Sequence, residues 1–176
     1  MKKSLRILTM TLVLLLSVSI LTACGGGEEG PTSEPGEKEK KTEEEEQKTE
    51  FSQDEVITYK GVDYTVDAVE RHMGDEFDTP KEGCEYVTVS ISIVNNSDEK
   101  ISYNPYDWKM ENSNGQETEI AFYVDDYQLS SGDLNPGGNV SGNLTFEEPQ
   151  GDAGLKLNYY DNALFDDEAT FKIVIQ

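Results

Sequence analysis

Tyr86-Val87-Thr88-Val89-Ser90-Ile91-Ser92-Ile93-Val94 runs straight into Asn95-Asn96-Ser97-Asp98. In an extended chain Val87, Val89, Ile91 and Ile93 fall on one side, and Thr88, Ser90 and Ser92 on the other. Four β-branched residues at period two, stopped by four turn-forming residues, predict a strand with one buried face. The same alternation recurs on both sides. Residues 55–60 and 62–71 predict two strands around Gly61, with Val62, Tyr64, Val66 and Ala68 on one face. Downstream, strands are expected at 106–112, 116–120, 140–146, 155–160 and 170–175, the last with Phe171, Ile173 and Ile175 on a common face. Asn114-Gly115 reads as a hairpin turn in which both residues accept positive φ. Asn135-Pro136-Gly137 reads as a type II turn. No long stretch has the 3.6-residue period of an amphipathic helix. The expectation is an all-β chain folded as an antiparallel β-sandwich of seven to eight strands, with Trp108 and Phe146 in its core.

That domain occupies residues 51–176, and two unlike segments precede it. Residues 24–50 begin Cys24-Gly25-Gly26-Gly27 and pass through Pro31, Pro35 and the block Glu43-Glu44-Glu45-Glu46. Before Phe51 they contain no Val, Ile, Leu, Met or aromatic residue, so they cannot bury a core and are expected to form a disordered acidic spacer. Residues 1–23 open with Lys2, Lys3 and Arg6 and continue as an apolar run, 7–21, that is short for a membrane span. A basic start, a short greasy core and small residues at the end describe a signal peptide.

The end of that signal, Leu21-Thr22-Ala23-Cys24, resembles the lipobox of bacterial lipoproteins. The resemblance implies a diacylglyceryl group on the Cys24 sulfur and cleavage that leaves Cys24 first. Membrane lipid is thus one expected partner, and the expected location is the outer, extracytoplasmic face of the cell membrane. Two acyl chains give lasting anchorage at about 0.8 kcal/mol per buried CH₂. An ordinary cleaved signal with an incidental cysteine is the alternative. With Cys24 lipidated, Cys84 has no partner in the chain, and the domain must fold without a disulfide.

Charge narrows the partners. The chain carries a formal net charge of −22, and residues from Phe51 onward hold seven bases against 26 acids. So acidic a surface argues against nucleic acid and against adhesion to anionic lipid. It suits a cationic partner, divalent cations or simple solubility.

The landmarks also share one order. Gly83 opens the strand Tyr86-Val87-Thr88-Val89, which closes at Asn95-Asn96-Ser97. Tyr106-Asp107-Trp108, Asn114-Gly115, Leu134-Asn135-Pro136-Gly137 and Val140-Ser141-Gly142 follow, and the series ends at Phe146 and Pro149. This pattern resembles the "domain of unknown function 4352" family of bacterial lipoproteins, related to the immunoglobulin-like domain of a mycobacterial secreted protective antigen. The resemblance implies an immunoglobulin-like sandwich outside the cytoplasm and carries no catalytic residue with it.

Chemistry is sparse. His72 is the single histidine, so Cys84 and His72 form the one conceivable nucleophile–base pair, and Cys84 shares the outward parity of Tyr86. One Cys and one His are too few for structural zinc. Calcium needs clustered oxygens, and the candidates are Asp125 and Asp126, then Asp161, Asp166, Asp167 and Glu168, and also Asp75, Glu76 and Asp78. None lies in an EF-hand loop. Tyr103, Tyr106, Tyr123, Tyr127, Tyr159 and Tyr160 are expected in or near loops, where phenols with acidic neighbours suit recognition. The expectation is a non-enzymatic domain with no cofactor that engages an envelope protein or a cell-wall component. The alternative is an accessory lipoprotein binding a small ligand or a divalent cation.

Overall fold

A computed structural model describes residues 32–33, 48–123 and 127–176. The expected signal peptide, Cys24 and most of the expected spacer lie outside the described residues. Strands β1 (Thr32–Ser33), β3 (Ile57–Tyr59), β4 (Val62–His72), β5 (Cys84–Asn95) and β10 (Asn139–Pro149) form one sheet, in the order β1-β3-β4-β5-β10. Strands β2 (Glu50–Ser52), β7 (Trp108–Glu111), β8 (Glu117–Thr118), β11 (Lys156–Tyr159) and β12 (Phe171–Val174) form the second, in the order β2-β12-β11-β7-β8. A short ribbon of β6 (Ile101–Tyr103) and β9 (Gly132–Leu134) completes the sandwich. Pairing between the strands is antiparallel except for β2 against β12, and an isolated parallel bridge joins Gln128 to Asn143. Six of the twelve described strands have only two or three residues. That is why the count exceeds the seven or eight expected, since so short a strand carries no readable alternation.

The deciding strand behaves as its pattern requires. Val87, Val89, Ile91 and Ile93 are buried, facing Phe51, Trp108, Met110, Leu157, Phe171 and Ile173 from the other sheet. Trp108 sits at the centre. Its ring centroid is 4.9 Å from Tyr159, 5.9 Å from Tyr64 and 6.0 Å from Phe171. Asn95 ends β5 wholly buried, with its Nδ2 donating to the carbonyls of Glu99 and Leu134. One side chain thus ties down the turn after β5 and the approach to β10.

Three local expectations change. The β4–β5 register shifts between Val66 and Ala68, which turns Ala68 outward opposite Ser90 and brings Val69 inward opposite Val89. A bulge adds one residue, and one residue reverses every face beyond it. At Asn114-Gly115 only Gly115 takes positive φ, at 74°. The turn closes from Gly115 N–H to the Asn112 carbonyl, while the Asn112 side chain accepts from the N–H groups of Asn114 and Gln116. Positive φ at both central residues occurs instead at Lys60 and Gly61, between β3 and β4. Lastly, Tyr159 and Tyr160 sit at the end of β11 and just beyond it, but both are buried and not offered to solvent. Tyr159 lies within β11, stacks on Phe171 at 4.8 Å and accepts a hydrogen bond from the Tyr64 hydroxyl. The Asn135-Pro136-Gly137 turn is as expected, with Gly137 at φ 77° and Gly138 N–H bonded to the Asn135 carbonyl.

Candidate functional site

The metal candidates named from sequence do not converge. Asp125 and Asp126 lie outside the described residues, as does Cys24. Asp161 accepts from Lys60 Nζ at 2.8 Å and from the Tyr59 hydroxyl at 3.4 Å. Asp166 accepts from the backbone N–H of Asn162. Asp75 accepts from the N–H groups of Phe77 and Asp78 and so shapes its own loop. Among the described residues no three Asp, Glu, His or Cys side chains gather closely enough to hold one ion. Both nitrogens of His72 are occupied, Nε2 by the Thr88 hydroxyl and Nδ1 by the Gly74 N–H. Cys84 is half-buried on the outward side of β5, opposite Pro149.

Two surfaces remain. The first runs along the β10 edge. Ala121 N–H bonds to the Thr145 carbonyl, Asn143 N–H to the Tyr127 carbonyl and Leu129 N–H to the Asn143 carbonyl. The chain on either side of residues 124–126 is thereby laid along a strand that would otherwise end the sheet. Gly142 permits the approach, because a Cβ there would stand 2.7 Å from Leu129 Cα. Tyr123 then reaches over the outer face of the sheet, with its ring 4.9 Å from Tyr86 and 5.1 Å from His72. Beside it, Tyr106, Ile120, Phe122 and Gln128 border a groove of about 220 Å³. Phe122 is 98% exposed, Tyr127 77% and Tyr106 57%. Of the tyrosines singled out in the sequence, Tyr106 and Tyr123 both line this groove, and Tyr127 lies on the same β10 edge. Phe122 carried no pattern that marked it, and Ile120 was marked only as the end of the strand expected at 116–120.

The second surface is the outer face of the other sheet. Glu111 and Glu117 stand directly opposite one another across the β7–β8 pair. Like charges in that position repel. Donors offset the repulsion. Asn158 Nδ2 donates to both carboxylates, at 3.0 and 2.6 Å, Lys172 Nζ donates to Glu111 at 2.7 Å, and the Tyr160 hydroxyl donates to Glu117. The Lys172 ammonium, with the Asn158 amide, holds the Glu111 carboxyl below its ordinary range. Burial and the bond to Glu117 push the Tyr160 phenol up. Glu111, Glu117, Tyr160 and Lys172 line a polar cleft of about 650 Å³ with Asp167 and Glu168.

A family model described as "Domain of unknown function (DUF4352)" matches residues 51–170. The chain belongs to DUF4352. No curated protein matches it by sequence. Among solved structures, the DUF4352 domain is similar to the yjhA protein of Bacillus subtilis, at 19% identity and TM-score 0.53, over 73% of this chain and 99% of that one. It is also similar to a Bacillus subtilis protein described as "a putative lipoprotein (ycdA)", again at 19% identity and TM-score 0.53, over 73% of this chain and 39% of that one. An uncharacterized β-sandwich protein of Clostridium difficile matches at 14% identity and TM-score 0.48, over 78% of this chain and all of that one. At these identities the likeness concerns the fold.

Charge in the DUF4352 domain is arranged so that cations are consumed locally. Six of the seven bases after Phe51 pair with carboxylates, and Lys109 lies over the Tyr160 ring at 5.0 Å. The surplus acids have consequences for stability. Asp107, the last residue of the short 3₁₀ turn Pro105–Asp107, is pushed up to about 6 by burial and by the nearby Asp161 carboxylate. A carboxyl raised on folding binds more protons in the native state than in the unfolded one. Its stabilising contribution is therefore complete below the ordinary Asp range and is lost as pH rises through about 6. Asp107→Asn is expected to be more stable than the parent at pH 7.5 and to lose that advantage at pH 4. The group is partly open to solvent, so the gain should be about 1 kcal/mol. Urea titrations at the two pH values read it directly, and a pH-independent difference would refute the assignment.

Proposed function

We propose that this protein is a lipoprotein anchored through Cys24 to the outer face of the cell membrane, and that its DUF4352 sandwich is a non-enzymatic module that engages a protein partner in the envelope. The observation that carries the binding role is the aromatic edge along β10. Phe122 and Tyr106 are exposed and border a groove, and Tyr127, on the same edge, is 77% exposed. Exposed aromatic clusters are where interfaces concentrate their binding energy. The lipobox and the preceding basic, apolar segment support the anchor, and a family relative in fold is described as a putative lipoprotein. The acidity of the domain keeps nucleic acid and anionic headgroups away and leaves the aromatic edge free for a protein.

Two measurements test this. Cys24→Ser should release the chain from the membrane fraction, and the mass of the native amino-terminal peptide should carry a diacylglyceryl group. For the edge, in-cell crosslinking should capture a discrete envelope protein with the parent chain. Phe122→Ser/Tyr127→Ser should weaken that capture about 30-fold, as loss of about 2 kcal/mol at an interface centre does, while leaving the melting temperature unchanged. Equal capture by parent and double variant would remove the aromatic edge as the binding surface.

A further inference from the structure

The groove beside the β10 edge is held between two anchored stretches of backbone. On one side is the 3₁₀ turn Pro105–Asp107, where Pro105 is buried and the Tyr106 N–H donates to the Asn104 side chain. On the other is the crossover from β8 to the β10 edge, which carries Glu119 and Phe122 and is fixed by the bond from Ala121 N–H to the Thr145 carbonyl. The groove's volume of about 220 Å³ falls below the range of sites that enclose a whole small molecule. It suits one long side chain presented by something larger.

The lining combines ring surface with a negative charge. Phe122 and Tyr106 are exposed. Glu119 is exposed beside them, and no described residue gives it a hydrogen bond or an ion pair. The domain has no cation to spare for it. Six of the seven bases after Phe51 are held by carboxylates, and Lys109 lies over the Tyr160 ring. Against 26 acids in the same stretch, the countercharge at Glu119 is left for a partner to supply.

We propose that this groove receives an arginine side chain from a basic segment of the envelope protein, which rests on the reading of the β10 edge as the binding surface. A guanidinium group is planar, stacks on aromatic rings and presents a fork of N–H donors to a carboxylate. It therefore meets the rings of Tyr106 and Phe122 and the Glu119 carboxylate together. It is also weakly hydrated, so it gives up little on leaving water. A lysine ammonium answers the charge but not the flat rings. An apolar side chain would cover Glu119 without pairing it, and an unpaired covered carboxylate is costly. Anions are repelled by the same group.

The probes are two short capped glycine–serine peptides that differ at one central residue, arginine in one and citrulline in the other. Citrulline keeps the length and shape of arginine and removes its charge. Binding to the full chain in detergent is followed by amide chemical shifts at about 0.15 M salt, where diffuse attraction to the acidic surface is screened. The arginine peptide should shift the amides of Glu119, Phe122 and Gln128 saturably, and the citrulline peptide should bind about fivefold more weakly, as loss of an ion pair does. Glu119→Gln should weaken the arginine peptide by the same factor with no change in the circular dichroism spectrum, and should weaken in-cell capture of the envelope protein alike. Equal binding of the two peptides, or full capture by Glu119→Gln while Phe122→Ser/Tyr127→Ser loses it, would overturn the arginine proposal and leave the aromatic edge standing. Full capture by all of these variants would remove the edge and the proposal with it. Shifts in the same amides with N,N′-diacetylchitobiose and none with the arginine peptide would overturn it in favour of a cell-wall sugar.

Discussion

Replacing Trp108 with alanine is expected to cost about 3–5 kcal/mol, a large part of the stability of a domain this size. Trp108 is 2% exposed and touches aromatic rings from β4, β11 and β12, so it bridges both sheets. Its neighbours cannot close the space. Tyr64 and Tyr159 are tied to one another by their hydroxyls, and Phe171 is stacked on Tyr159. The void therefore persists, and its lining loses dispersion contacts as well as transfer energy. No disulfide is there to limit the unfolded chain, since Cys84 is the one cysteine within the domain. Thermal unfolding followed by far-ultraviolet circular dichroism should show a midpoint lowered by about 10–20 °C. A drop under about 3 °C would mean the site collapses freely and is not the centre of the core.

Gly142→Ala should be nearly as damaging for a different reason. The added methyl would meet Leu129 at its Cα, Cβ and N, all between 2.7 and 2.9 Å. These are mostly backbone atoms on the facing segment, so no rotamer change relieves the contact. The segment must lift from β10 and break the bonds that join Asn143 to Tyr127 and Leu129. Leu129 is itself buried in the core and would be drawn out with it. A loss of about 2–3 kcal/mol is expected for overpacking at an unyielding site. Amide exchange gives the specific signature: Asn143 and Leu129 should lose protection while Val89 and Ile91 retain it. Retained protection at Leu129 would show that the strand edge tolerates the methyl.

How much of this was legible from residue order depends on how far each determinant acts. Val87, Val89, Ile91 and Ile93 announce their strand because period two is a local property of the backbone. Asn135-Pro136-Gly137 announces its turn for the same reason. The bulge near Asp67 was not legible, because Val62, Tyr64, Val66 and Ala68 keep perfect alternation through it. Only pairing with β5 decides that Val69 faces inward. The outer edge was illegible too. Residues 121–123 and 127–129 have no strand pattern, and they lie along β10 because Gly142 leaves room, a relation across many residues. Tyr159 was misplaced because a tyrosine near acidic residues looks the same whether its hydroxyl meets water or Tyr64. The acidic cleft combines both cases. Asp167 and Glu168 were visible as acids, whereas their closeness to Glu111 and Glu117 follows only from the β7–β8–β11–β12 neighbourhood. Glu148 shows the limit most plainly. It ends an acidic pair in the sequence, yet it is fully buried, bonded by the Thr118 hydroxyl and raised in pKa by burial.

The parallel pairing of β2 with β12 bears on how the molecule would meet a pulling force. Glu50 lies beside Lys172 and Ser52 beside Val174, so the strand entering from the spacer and the final strand point the same way. Tension applied between the start of β2 and the far end of β12 would slide one strand along the other. Every rung of that ladder would be loaded at once, together with the bond from Lys172 N–H to the Thr49 carbonyl and the contact between Phe51 and Phe171. An antiparallel terminal pair would instead open one rung at a time, like a zipper. Force applied between the start of β2 and the end of β12 therefore meets this ladder in the direction in which it resists rupture best.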